Sequence, residues 1–88
     1  MTGDEIELKQ TCSACPEQYD AFFNGALVGY LRLRHGYFYC ENTSDESIVY
    51  EAENPAWGGC FDETSRVREL STARERLASA LNLAQKAV

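Results

Sequence analysis

Basic residues are scarce over most of this chain: residues 1–65 hold 3 Lys or Arg against 12 Asp or Glu, whereas residues 66–88 hold 5 against 2. The first portion is therefore −9 and the second +3, which together make the net −6. A field of that sign repels a phosphate backbone over most of the surface, so it speaks against direct nucleic-acid binding and favours a basic protein as partner. Long apolar runs are missing as well. Hydrophobic residues make up 44% of the 88, yet none of their runs approaches the roughly 18 residues of a membrane span. Nor does Met1-Thr2-Gly3-Asp4-Glu5 have the basic-then-apolar start of an export leader. The expectation is a soluble cytosolic chain of one domain, without a membrane partner.

Catalytic combinations are equally thin. Histidine occurs once, as His35 before Gly36, where a polar residue adopting positive φ has an ordinary role in a turn. No Ser/Asp pair or second His stands at a fixed spacing to it, and no glycine-rich phosphate loop is present. The adjacent acids Asp45-Glu46 and Glu51/Glu53 have no apolar surroundings to raise a carboxyl pKa, so they read as solvated. No catalytic residue is assigned, and the chain is not expected to be an enzyme.

What is present is a strand pattern. Leu27 to Arg34 alternates, with Leu27, Leu31 and Leu33 on one side and Val28, Tyr30, Arg32 and Arg34 on the other. His35-Gly36 separates it from Tyr37 to Cys40, and a two-residue connection with Gly suits a primed hairpin turn. Arg34 then faces Tyr37, Leu33 faces Phe38, Arg32 faces Tyr39 and Leu31 faces Cys40. Upstream, Asn24-Gly25 joins Gln18–Phe23 to this hairpin, which sets Phe22 against Leu27 on the core face and Tyr19 against Tyr30 on the other, with Phe23 on the wet side. Ser47–Glu53 supplies a fourth strand, its Ile48, Tyr50 and Ala52 alternating with Val49, Glu51 and Glu53, and Glu5–Lys9 supplies a short fifth strand at the edge.

The expected fold is α+β: a four-stranded, or with Glu5–Lys9 five-stranded, antiparallel meander covered on one face by a C-terminal helix. Residues 1–16 form an N-terminal segment, 18–53 the sheet, 54–61 a linker and 62–86 the helix. Asn54-Pro55 stops the sheet, and Trp57 and Phe61 fold over one end of the core. From the N-cap Asp62 the period becomes about 3.6, with Val67, Leu70, Leu77, Leu81, Ala84 and Val88 in one stripe beside Ala73 and Ala80. Thr72-Ala73-Arg74-Glu75 has capping-box spacing and offers an alternative of two helices. The stripe also forms a heptad seam through Arg74, by which two copies could pair as a homodimer.

Cys12 and Cys15 have the C-x-x-C spacing of a zinc knuckle, and Cys40 and Cys60 would complete four thiolates around structural zinc. Against this, Cys40 falls on the core face, where a thiol is a small hydrophobe, and the second pair is split by 20 residues. A redox reading needs the motif at a helix N-terminus, but Cys15-Pro16 leads into a strand.

Tyr30, Arg32, Arg34, Tyr37 and Tyr39 share the face away from the core, and guanidinium groups can lie across the phenols there. Antiparallel sheets commonly show one such face to water, but Tyr and Arg are also the types enriched where partners bind. With Glu41, Asp45, Glu46, Glu51 and Glu53 close by in sequence, these ten residues are the candidate partner-binding set. At Tyr19-Asp20-Ala21-Phe22, Val28-Gly29-Tyr30-Leu31-Arg32-Leu33-Arg34 and Val49-Tyr50-Glu51-Ala52 the chain resembles short accessory proteins of bacteriophages and integrated mobile elements, over roughly residues 12–63. The resemblance transfers no catalytic residue. It implies stoichiometric action on a host protein in the host cytosol, including inhibition of CRISPR or other defence nucleases.

Overall fold

The computed structural model describes residues 6–12 and 16–86, with side chains to Leu81. Five strands, β1 (Glu7–Gln10), β2 (Gln18–Phe23), β3 (Ala26–Arg34), β4 (Tyr37–Asn42) and β5 (Ser47–Glu53), form one antiparallel meander in the order β1-β2-β3-β4-β5. Helix α1 (Glu63–Lys86) packs on one face, making this the expected α+β architecture with the edge strand included. Both hairpin turns use left-handed residues, Asn24 and Gly25 at φ 51 and 81 and His35 and Gly36 at φ 53 and 77. Those dihedrals match the right-handed twist of the flanking strands.

The register after His35-Gly36 is the one the loop length implies, Arg34↔Tyr37 through Leu31↔Cys40. Elsewhere two bulges intervene. Between β2 and β3 the pairs run Phe23↔Ala26, Phe22↔Leu27, then Ala21↔Gly29 and Tyr19↔Leu31, leaving Val28 as the extra residue. Between β4 and β5, Glu41↔Ile48 is followed by Cys40↔Tyr50, leaving Val49 as the extra one. An inserted residue reverses the in/out alternation beyond it.

Several expectations about faces are corrected by those two insertions. Tyr19 is buried in the core and does not oppose Tyr30, whereas Phe22 and Leu27 lie on the opposite face, Leu27 being 51% exposed. Phe23 turns inward and packs half-buried against the core. Ile48, expected inside, is 47% exposed. The reason for the first bulge is visible at Gly29. A Cβ there would stand 2.5 Å from Leu77 Cδ2 and 3.2 Å from Ala21 Cβ, so the strand presents its side-chain-free residue where the Leu77 side chain of the helix packs onto it.

The core holds Leu31, Leu33, Phe38 and Cys40 from β3 and β4, Tyr19 and Ala21 from β2, and Ile6 just before β1. Ala73, Leu77 and Ala78 of α1 cover it. Trp57, on a single 3-10 turn at Pro55–Trp57, closes one end as expected, edge-on to Phe61 at 4.8 Å, and Phe61 in turn meets Phe38 at 5.1 Å. Helix α1 is continuous across Thr72-Ala73-Arg74-Glu75, where the Thr72 hydroxyl donates back to the Arg68 carbonyl, so the two-helix alternative is not realised. Its start is capped by Asp62, which accepts from the Ser65 amide at 2.8 Å. Val67 is 67% exposed, because Ser65, Glu69, Ala73 and Leu77 form the buried stripe in its place. Glu5, Cys15 and Val88 lie outside the described residues, as does the side chain of Ala84.

The face assignment is tested by truncation. Leu31→Ala should cost about 2–5 kcal/mol and Leu27→Ala less than about 1, since only the first empties a packed site. Gly29→Ala should cost about 1–3 kcal/mol through collision with Leu77. Chemical denaturation of the three variants checks this, and equal losses at Leu27 and Leu31 would return Leu27 to the core.

Candidate interaction surface

The face turned away from α1 can be laid out from the pairing. One row runs Lys9, Asp20, Tyr30, Glu41, Ile48; the next runs Gln18, Arg32, Tyr39, Glu51; a third runs Arg34, Tyr37, Glu53. Eight of the ten candidate residues, Tyr30, Arg32, Arg34, Tyr37, Tyr39, Glu41, Glu51 and Glu53, are therefore brought onto one surface. Asp45 and Glu46 are exposed in the turn between β4 and β5, at the end of the sheet that carries Glu41 and Ile48. Asp45 accepts from the Ser47 hydroxyl and amide at 2.7 and 3.0 Å, and those bonds hold its carboxyl below the usual range.

The tyrosines are organised by one another. Tyr37 and Tyr39 stack at 5.8 Å between ring centres, and Tyr30 meets Tyr39 edge-on at 6.3 Å. Tyr37 also donates to Glu51 Oε2 at 2.7 Å, which raises the phenol pKa by stabilising its protonated form. The expected stacking of Arg32 and Arg34 on these rings is not found. Among the described residues, the guanidinium lying over a ring is that of Arg76, 5.9 Å from the Tyr50 centroid on the helix side. Arg32 instead has its Nε–H buried with no acceptor, an arrangement that ordinarily costs on the order of 1–3 kcal/mol. Phe22, Leu27 and Ile48 add apolar area that the sequence pattern had assigned to the core.

A second polar cluster, which sequence reasoning missed, fixes this surface from behind. Glu17 is 3% exposed, accepts from the Tyr19 hydroxyl at 2.7 Å and the Phe61 amide at 2.8 Å, and pairs with Arg66 Nη2 at 2.7 Å. Burial pushes its carboxyl up, but the bonds from Arg66, Tyr19 and Phe61 outweigh burial and leave it below its ordinary value. Tyr19 is pushed up to about 12 by burial and by the Glu17 carboxylate. A similar link ties β5 to the helix: the Tyr50 hydroxyl donates to Glu69, which Arg68 also contacts at 3.0 Å. The available signals were an acid next to Pro16 at a strand start and an acid on the Ser65-Glu69-Ala73-Leu77 spacing, neither of which identifies a partner.

The described cysteines, Cys12, Cys40 and Cys60, are not gathered into a thiolate group. Cys60 is disulfide-bonded, so in this state it offers no thiolate, and Cys40 is a fully buried free thiol in the core, pushed up to about 12 by burial. Cys12 is a half-buried free thiol, and Cys15 lies outside the described residues. Among the described residues no three His, Cys, Asp or Glu come together in a metal-ligating group. In the same range, no helix is long and apolar enough to cross a membrane.

Fold and surface together define an antiparallel sheet-and-helix protein with one uncovered, aromatic and acid-framed sheet face. Compared with protein-family models, curated proteins and solved structures, the chain matches none.

Two measurements test the chemistry of the buried groups. Arg66→Ala should destabilise by about 3 kcal/mol near neutrality, because Glu17 is left as an unpaired buried carboxylate. The loss should shrink as pH falls. In the intact protein the depressed Glu17 pKa contributes stability above the ordinary 4.5 that is lost as pH drops through the folded value. In the variant Arg66 no longer offsets burial, so Glu17 takes up its proton at a higher pH than in the intact protein, and protonation relieves the loss. A loss that stays constant as pH is lowered from neutrality to below 4.5 would show that the charge pair is not its source. Separately, Cys12 should react with a water-soluble thiol reagent in the folded protein while Cys40 reacts only on unfolding. Peptide mapping of the labelled protein reads both.

Proposed function

We propose that this protein acts by stoichiometric binding to another protein, through the uncovered sheet face, and that the partner presents a basic surface of the kind that binds nucleic acid. The observation that carries the reading is the cluster of Tyr30, Tyr37 and Tyr39, packed ring against ring on a face that no described segment covers. Tyrosines held in this way lose little conformational freedom on binding, and they carry large apolar area with a polar end. The buried donor of Arg32 at their centre favours a partner whose docking supplies an acceptor.

Carboxylates set the partner's sign. Glu41, Glu51 and Glu53 line the β4–β5 side of the face, with Asp45 and Glu46 in the adjoining turn, and no Lys or Arg lies between Tyr37 and Glu53. Such a row can occupy a groove built for phosphates and steer association through a field that salt weakens. The resemblance to phage and mobile-element accessory proteins makes a host defence nuclease, CRISPR-associated or other, the partner we propose, with inhibition following from occupancy and without turnover. A zinc-stabilised module is the weaker alternative, since it requires Cys60 to exchange its disulfide for a metal bond.

A cytosolic site of action is part of the proposal, and thiol reductants there keep most disulfides open. None of the ten surface residues is a cysteine, so reduction of Cys60 should lower the melting temperature while leaving partner affinity unchanged. Immobilised protein should capture, from a host lysate, a basic nucleic-acid-binding protein in about one-to-one ratio, identified by mass spectrometry. Against that partner, Glu51→Gln with Glu53→Gln should mainly slow association and flatten its salt dependence, and Tyr39→Ala should mainly speed dissociation. Surface plasmon resonance separates the two rates. Binding indifferent to both changes, or inhibition persisting at strongly substoichiometric protein, would overturn the mechanism.

A further inference from the structure

Strand β5 is the last strand of the sheet, and no described segment pairs with its outer edge. Seven residues of extended backbone there leave a row of N–H and C=O groups directed away from β4. The opposite edge is different: β1 has four residues, with charged Glu7 and Lys9 exposed on it. On β5 neither Lys nor Pro protects the edge, and Glu51 and Glu53 belong to the open-face rows rather than pointing along the edge.

Helix α1 runs beside this edge and leaves a shallow groove of about 410 Å³, lined by Ile48, Val49, Tyr50, Glu51 and Arg76. The groove has a fixed wall, because the Tyr50 hydroxyl is bonded to Glu69 and the Arg76 guanidinium lies over the Tyr50 ring. Arg76 is exposed and enters no salt bridge among the described residues. The helix carboxylate at this wall, Glu69, is already engaged by Tyr50 and Arg68, and the groove's own carboxylate, Glu51, accepts from Tyr37. A cation held over the Tyr50 ring, and outside any salt bridge among the described residues, therefore stands next to an unpaired strand edge.

We infer that the outer edge of β5 is a docking site for an extended acidic peptide, which adds as a sixth strand and sets a carboxylate against Arg76. Main-chain hydrogen bonds supply affinity in this mode and side-chain contacts supply specificity. A second copy of this chain fits less well. Two-fold pairing of β5 with itself would offer each Arg76 only Glu51 and Glu53 of the other copy, which belong to the open-face rows, whereas Arg76 lies on the helix side. Nor does one strand edge approach the roughly 1,200 Å² that a stable interface buries. The site adjoins the tyrosine face and shares Ile48 and Glu51 with it, but its main-chain groups belong to the edge of β5 and its cation to the helix.

The test is nuclear magnetic resonance on the full chain, titrated with a synthetic peptide of about eight residues that alternates valine and threonine around a central glutamate. A twin peptide carries lysine in that place. With the glutamate peptide, the amide signals of Ser47–Glu53 should shift saturably, and the lysine twin should bind about tenfold more weakly. Arg76→Glu, its fold checked by unshifted amide signals in β1 to β4, should reverse the preference. The proposal is overturned by the absence of saturable shifts in β5, by equal affinity for the two peptides, or by β5 shifts that follow protein concentration alone, which would assign the edge to a second copy.

Discussion

The buried carboxylate of Glu17 is the constraint from which the rest of the architecture hangs. Its backbone accepts from Leu33 and donates to Gly59, while its side chain binds Tyr19, the Phe61 amide and Arg66. One residue therefore joins the sheet, the 54–61 connection and the first turn of the helix. Charge burial makes the join selective: with any other placement of α1, Glu17 would be a desolvated anion without a cation, which is costly, so the pairing restricts where the helix can start. Arg66 is 38% exposed at its side chain, so the ion pair is not fully desolvated and its cost to the fold is moderated.

With the helix docked, the two faces of the sheet acquire different roles. The inner face is a dry cluster in which Cys40 behaves as a small apolar side chain and Tyr19 and Tyr50 each hand their hydroxyl to a carboxylate. On the outer face the aromatic rings are held in place yet remain uncovered, and the acidic side chains of β4 and β5 frame them. The charge asymmetry of the sequence becomes spatial through this division: α1 carries the basic part of the chain on one side of the molecule, and the sheet keeps its carboxylates on the other. A protein so polarised presents opposite signs on its two sides, the acid-framed tyrosine face on one and Arg76 beside the β5 edge on the other.

The cysteines show how one spacing supports several chemistries until a fold selects among them. C-x-x-C alone is shared by zinc knuckles, redox pairs and disulfides. Position decides. Cys40 is sealed within the core and Cys60 is committed to a disulfide in a loop that Glu17 also holds. Those assignments depend on which face of β4 turns inward and on where the 54–61 loop lands, neither of which a cysteine count carries.

Local patterns in the sequence determined the four central strands, the turns at Asn24-Gly25 and His35-Gly36, the register of β3 with β4, the Asp62 cap and the lid over the core at Trp57, and left the fifth strand as an option. Each follows from interactions within a few residues, where backbone sterics and a two-residue loop leave little choice. They also placed Tyr30, Arg32, Arg34, Tyr37 and Tyr39 on one face, because that face is centred on the pair of strands whose register is locally fixed, and the pairing of β4 with its neighbours brought Glu41, Glu51 and Glu53 onto it. What only the tertiary structure decided lies beyond the bulges at Val28 and Val49: the outward turn of Leu27 and Ile48, the burial of Tyr19, and the exposure of Val67. A Gly in mid-strand at Gly29 was a sign of irregularity, but its direction depended on Leu77 arriving from 48 residues downstream. The Glu17–Arg66 pair is of the same kind, a contact across 49 residues that local periodicity does not encode, because two charges far apart in sequence acquire a joint energy only once the chain has brought them out of water together.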